Sequence, residues 1–214
     1  MSIVYIGIGS NLGDRLQNIE RSLEKLKARK DIEFKEMSSV VETEAVGGVS
    51  QPMYLNACCC IGTALYPDEV LAALKTIERE MGRFKDNTPK RLSTQEQLKV
   101  LSEGKTIEYA SRCQVPVHAA LDRWAPRVID LDILLYDDII MRGNSLIIPH
   151  SRMHERYFVL KPLFEIAPDI VHPVLKKSIK DLLQDDERLR GQCLPPEERI
   201  EGSMPKGMTE DENH

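Results

Sequence analysis

Between residues 32 and 62 two strand-like runs follow one another with no helix between them. That break in alternation constrains the fold more than any other feature, because a doubly wound parallel sheet needs a helix after every strand. On either side stand two helical stripes. Residues 3–9, "IVYIGIG", form a short β-rich run. After it, Leu12, Leu16, Ile19, Leu23 and Leu26 recur at helical spacing, with Asn11 or Asp14 placed to cap the start. Residues 32–43 read as one strand and "MYLNACCCIG" (53–62) as the next. Pro67 opens a second helix, whose stripe is Val70, Leu74, Ile77 and Met81 and whose end is Gly82. A further strand runs over 128–136. The order strand, helix, strand, strand, helix, strand predicts an α+β chain with a ferredoxin-like βαββαβ core, an antiparallel sheet and helices on one face. Beyond it, "DDIIMRGNSLIIPH" predicts a hairpin turning near Gly143 and Asn144. "FVLKPLFEIAPDIVHP" is a short apolar segment punctuated by prolines, and "KSIKDLLQD" predicts a last short helix.

Residues 86–122 separate the second helix from the 128–136 strand, too far for a bare connection. Ser93 with Glu96 forms a capping box, and Leu98, Leu101 and Gly104 outline a short helix. A length of 214 residues with 42% hydrophobic and 29% charged residues suits one decorated domain. We place it at 1–194, with 86–122 as an insertion. The formal net charge is -5, and residues 195–214 hold six acids against two bases, which is -4 of that total. This stretch has the composition of a disordered acidic tail. The remainder, at -1, shows no basic patch, so no nucleic-acid partner is expected. Nothing reads as a membrane span or a signal peptide. Of the five cysteines, Cys58, Cys59 and Cys60 are consecutive. That spacing suits neither disulfides nor a zinc site, and marks small apolar strand residues of a cytoplasmic protein.

The chemistry begins in "RWAPRVIDLDILLY" (123–136). Alternation puts Ile129, Leu131, Ile133 and Leu135 on one face and Asp130 and Asp132 on the other. The two acids are then about 6–7 Å apart along the strand. Carboxylates that close resist joint ionisation unless a cation joins them. With Arg123, Trp124 and Arg127 just upstream, the set is equipped for a divalent ion and phosphate; the plainer alternative is a wet outer strand face. "GIGSNLG" places Gly7, Gly9 and Gly13 after a strand, a near miss to a dinucleotide fingerprint. We read these glycines as a tight turn and close packing, because strands adjoin at 32–62. His150 and His154 in "HSRMH" lack further metal ligands nearby, and His150 suits a phosphate or ribose instead. In "QPMYLNA", Tyr54 offers a stacking surface, and Asn56 on the same face offers a donor beside an acceptor, matching the edge of a flat amide-bearing heterocycle. An outer-face Tyr with a turn-seeking Asn explains that segment equally well. Phe158 is either a second stacking ring or a core residue.

Together these motifs resemble the 6-hydroxymethyl-7,8-dihydropterin pyrophosphokinase family of folate biosynthesis. "RWAPRVIDLDILLY" and "IPHSRMHERYFVLKPLFEIAP" carry the resemblance, supported in the same order by "YIGIGSNLGD", "QPMYLN" and "IEREMGR" (77–83). It spans roughly 1–85 and 122–185, and implies transfer of pyrophosphate from ATP to the hydroxymethyl group of the reduced pterin, releasing AMP. Asp130 and Asp132 would hold two Mg²⁺ ions. Arg83 and Arg127 would neutralise the migrating diphosphate. Lys75, Glu78, Arg123, Trp124, His150 and Arg156 would serve ATP. Tyr54 and Phe158 would sandwich the pterin, with Thr43, Asn56 and the backbone near Val46 reading its edge. The partners implied are ATP and the pterin alone, with a monomer acting in the cytoplasm. This chain has Ser145, Ser151, Glu44 and Ala45 where the resemblance leads one to expect other residues. It also carries 86–122 where the family has a short mobile loop that closes over ATP. A non-catalytic pterin or nucleotide binder and a nicotinamide-dependent enzyme are the readings from other classes.

Overall fold

A computed structural model describes residues 1–44, 52–82 and 127–193. Four strands form the sheet's spine: β1 (Ser2–Ser10), β2 (Ile32–Met37), β4 (Tyr54–Thr63) and β5 (Asp130–Tyr136), in the order β2-β4-β1-β5. The short β3 (Val41–Thr43) also pairs with β4, and every pairing is antiparallel. Helices α1 (Arg15–Lys27) and α2 (Pro67–Glu80) supply the two crossovers, giving the ferredoxin-like arrangement expected from the order of elements. β6 (Met141–Arg142) and β7 (Ile147–Ile148) form the expected hairpin, closed by the Gly143 amide donating to the Leu146 carbonyl. Two more helices follow, α3 (Tyr157–Ile166) and α4 (Ile179–Cys193).

The sheet separates two cores. Val4, Ile6, Ile8, Ala57, Cys59, Ile61, Ile129, Leu131 and Ile133 face α1 and α2. Tyr5, Cys58, Cys60, Leu134 and Leu135 face α3 and α4. The expectation of helices on one face is therefore met by the βαββαβ core alone; α3 and α4 cover the other side. Leu135 also departs from expectation. The β1–β5 register jumps from Ile6↔Ile133 to Tyr5↔Leu135, leaving Leu134 as an extra residue. A bulge of this kind reverses the alternation beyond it, so Leu135 packs opposite Ile133 rather than with it.

Other differences have equally local causes. The strand expected over 32–43 divides at residues 38–40, where the Ser38 hydroxyl accepts from the Cys58 amide in place of a ladder carbonyl. In α1, Ile19, Leu23 and Leu26 are buried, but Leu12 and Leu16 are 41% and 49% exposed. The stripe begins before the helix has reached the sheet. Asp14 is the cap, accepting from the Gln17 amide, and Gly13 enters it at φ 68°, a conformation glycine adopts without strain. The proline-punctuated segment is helical as α3, with Pro162 inside it. An interior proline costs about 3 kcal/mol. Burying Val159, Leu160 and Leu163 against the sheet offsets that at roughly 1.5–3 kcal/mol each. The last helix is longer than expected, 15 residues. The three consecutive cysteines are buried and free, as read, and the first four residues of "GIGSNLG" lie inside β1, paired antiparallel on both sides, which is no dinucleotide-binding unit.

Candidate active site

Register brings the predicted residues together. Asp130 lies opposite Gly9, and Gly9 lies opposite Asn56 on its other side. One step along, Asp132 lies opposite Gly7 and Gly7 opposite Cys58. Directly paired residues point to the same face, so the acids, Asn56 and Tyr54 share the face that carries α3 and α4. Between Asp130 and Asn56 stands Gly9, which has no side chain, whereas Gly7 beside it is covered by Leu134, whose Cδ2 would lie 3.2 Å from a Cβ there. Gly9 thus has a place in the candidate site that sequence reasoning missed, while Gly7 permits the close packing that was expected. The signal was in the alternation of "GIG", but only the register showed what the glycines stand beside.

On one side of this trough is a polar wall. Asn56 is buried and donates Nδ2–H to Thr43 Oγ1 at 2.8 Å. Thr43 is paired with Tyr54, so both side chains project alongside the amide. Phe158, in the first turn of α3, packs at the edge of the second core. The Arg156 guanidinium lies over its ring, 5.6 Å from the centroid.

On the other side is a cluster of charge. Burial and the neighbouring Asp130 push the Asp132 carboxyl above the usual carboxylate range, against the pull of His150, Lys75 and Arg156. Burial holds the His150 imidazole below its ordinary value, with Asp132 opposing. Desolvation outweighs mutual attraction at both groups. His150 is tied to the strand by its amide, which donates to the Leu134 carbonyl at 2.9 Å. Arg127 Nη1 lies 3.7 Å from Asp130 Oδ1. Glu78 is 1% exposed and accepts from the Leu131 amide at 2.8 Å, between the two acids, while Lys75 meets its carboxylate at 3.0 Å. The carboxylate covers the outer edge of β5 and fixes α2 against it.

Two adjacent carboxylates, one partly suppressed by the other, are a donor set for a hard divalent cation. Among the described residues no group of three or more His, Cys, Asp or Glu is assembled for a metal. A protein that offers only two acids leaves the remaining positions to water and substrate phosphates, which suits Mg²⁺. His154 stands apart from the acids, edge-on to His172 at 6.1 Å. Ser145 and Ser151 are exposed. Arg83, Arg123, Trp124 and Val46 lie outside the described residues, as do 86–122 and 195–214. An open pocket of about 440 Å³ between the start of α1 and the β3–β4 side, lined in part by Asn11, Glu42 and Met53, contains none of the charged cluster.

Comparison with known proteins follows the same outline. The family model described as 7,8-dihydro-6-hydroxymethylpterin-pyrophosphokinase (HPPK) matches residues 5–94 and 87–168. A 2-amino-4-hydroxy-6-hydroxymethyldihydropteridine pyrophosphokinase of Aquifex aeolicus is 34% identical over 85% of this chain and 90% of its own length. The Folic acid synthesis protein fol1 of Pneumocystis carinii is 38% identical over 82% of this chain, which spans only 19% of that longer protein. Among solved structures, wild-type HPPK-DHPS of Plasmodium falciparum with pterin and p-hydroxybenzoate superposes with TM-score 0.59 at 14% identity, over 90% of this chain and 43% of that one. This last likeness concerns the fold. The matched family model and the length of the Aquifex alignment establish that the chain belongs to the 7,8-dihydro-6-hydroxymethylpterin-pyrophosphokinase family.

Proposed function

We propose that the chain transfers the β,γ-diphosphoryl group of ATP to the hydroxymethyl oxygen of 6-hydroxymethyl-7,8-dihydropterin, giving AMP and the pterin diphosphate for folate synthesis. The observation that carries this is the row Asn56–Gly9–Asp130 across three adjacent strands. It sets a group that reads a heterocycle edge about 10 Å, two strand spacings, from a phosphate-side acid, with only glycine between. The heterocycle rests on Tyr54 with Phe158 as the opposing ring, and Asn56, oriented by Thr43, reads its amide edge. Its hydroxymethyl arm then points along the trough toward Asp130 and Asp132. The alcohol oxygen bonds to the β-phosphorus as the bond to the α,β-bridging oxygen breaks, and AMP leaves. Arg127, with Arg83, neutralises the moving charge. Lys75, His150 and Arg156 face the nucleotide phosphates, with Arg123 and Trp124 beside them, and Glu78 holds Lys75 and β5 in place. Asp130 and Asp132 would hold two Mg²⁺ ions, which would supply charge neutralisation on the phosphates. The rest of the catalysis is positioning.

Three buried free thiols in a row support a reducing cytoplasmic setting. No described helix is long and apolar enough to cross a membrane. The test is product analysis of ATP, Mg²⁺ and 6-hydroxymethyl-7,8-dihydropterin incubated with the protein. Pterin-dependent AMP with pterin diphosphate is expected; ADP, or nucleotide release indifferent to the pterin, would refute the reading.

A further inference from the structure

β5 begins at Asp130, yet the chain three residues earlier is held as firmly as a strand. The Asn11 amide donates to the Arg127 carbonyl at 3.1 Å, and the Arg127 amide donates to Asn11 Oδ1 at 2.7 Å. The side chain of Asn11 thus takes the place of a main-chain carbonyl and completes a two-bond ring with Arg127. Beside it, Ser10 Oγ donates to the Val128 carbonyl at 2.7 Å. Asn18 Nδ2 donates to Ser10 Oγ at 3.4 Å and to the Leu12 carbonyl at 2.8 Å. Ser10, Asn11 and Asn18 are all buried, at 0%, 1% and 9% exposure. Asn11 Nδ2 also donates to the Pro52 carbonyl at 3.4 Å, two residues before Tyr54. Helix capping, one role the sequence suggests for Asn11, is performed by Asp14.

We propose that Asn11 is a positioning residue for the reaction: it fixes the backbone of Arg127, so that the guanidinium stands beside Asp130, and it ties that segment to the chain entering the heterocycle wall. The inference rests on Arg127 meeting the transferred diphosphate. Only a short carboxamide supplies both the acceptor for the Arg127 amide and the donor for the Pro52 carbonyl. Aspartate keeps the acceptor and loses the donor, and alanine loses both.

The test is a double-mutant cycle on turnover with Asn11→Ala, Arg127→Ala and the pair, alongside KM for ATP and pterin and amide exchange at residue 127. Asn11→Ala should lower kcat about 10–100-fold, the scale of loss for a displaced reacting geometry, with smaller changes in KM. In the Arg127→Ala background the same substitution should cost nothing more, because its effect runs through that arginine. Asn11→Asp should recover part of kcat. Amide exchange at Arg127 should accelerate in Asn11→Ala, whatever the activity. Multiplying kcat losses in the double variant, or unchanged kcat and exchange in a folded Asn11→Ala, would overturn the proposal. Should Asn11→Ala fail to fold, the cycle with Asn11→Asp decides by the same criterion. Full turnover by Arg127→Ala with accelerated exchange in Asn11→Ala would show the anchor to be real and the role of Arg127 to be wrong, which removes the catalytic part of the inference.

Discussion

A methyl group on Gly9 would sit 3.5 Å from Asn56 Oδ1 and 3.7 Å from Tyr54 Cδ1, ordinary contact distances. Gly9→Ala should therefore fold normally while filling the trough between the heterocycle wall and the acids. Titration calorimetry should show weakened pterin binding with Mg-ATP binding little changed; equal loss of both ligands would place the pterin elsewhere. Asp132 gives a second prediction, on stability. Its carboxyl titrates above the usual range in the folded protein, chiefly through burial and then Asp130. As pH rises past the ordinary carboxylate pKa of about 3.9, the unfolded chain releases this proton first. Stability therefore falls until pH passes the folded pKa, and the loss persists above it. Asp132→Asn should abolish this contribution. The metal-free variant should melt above wild type at neutral pH, with the gap closing below the usual carboxylate range; a gap that widens in acid would reverse the assigned sign.

At the scale of elements, β4 makes a separate prediction. Its ten residues pair with β1, β2 and β3 at once, and its middle is Cys58, Cys59 and Cys60. Burial raises all three thiols, Cys59 to about 12. A thiol reagent should titrate no more than two of the five cysteines in the native protein and all five in denaturant. Fast native reaction of three or more would mean that β4 is not sealed between the two cores. The elements also mark where the sequence stops being legible. Adjacent strands at 32–62 and the stripes from Ile19 and Val70 onward are periodic, and periodicity follows burial, so the βαββαβ core and the facing of Asp130 and Asp132 could be read. The bulge at Leu134 could not, because one extra residue in a run of leucines leaves no pattern. Pro162 hid α3, whose helix is held by tertiary burial against its own propensity. Asn11 looked like a cap because a bond across more than one hundred residues has no local signature. The residue types of the proposed site could be picked out by their chemistry; the gap at Gly9 between them needed the register.

At the scale of the whole molecule, one sheet face does two jobs. Its middle is sealed by α3 and α4, and its end, where Tyr54, Asn56, Asp130 and Asp132 project, is left for the proposed site. Both acids are only partly buried, between buried apolar neighbours, so chemistry and stability should be separable there. The direct measurement is pterin-dependent AMP formation by Asp130→Asn and Asp132→Asn, each checked for folding by its thermal melt. The account predicts a loss of about 100-fold or more, the scale of removing an electrostatic partner from a reacting centre, in proteins that melt at or above the wild-type temperature. Near-normal AMP formation by either folded variant would contradict it.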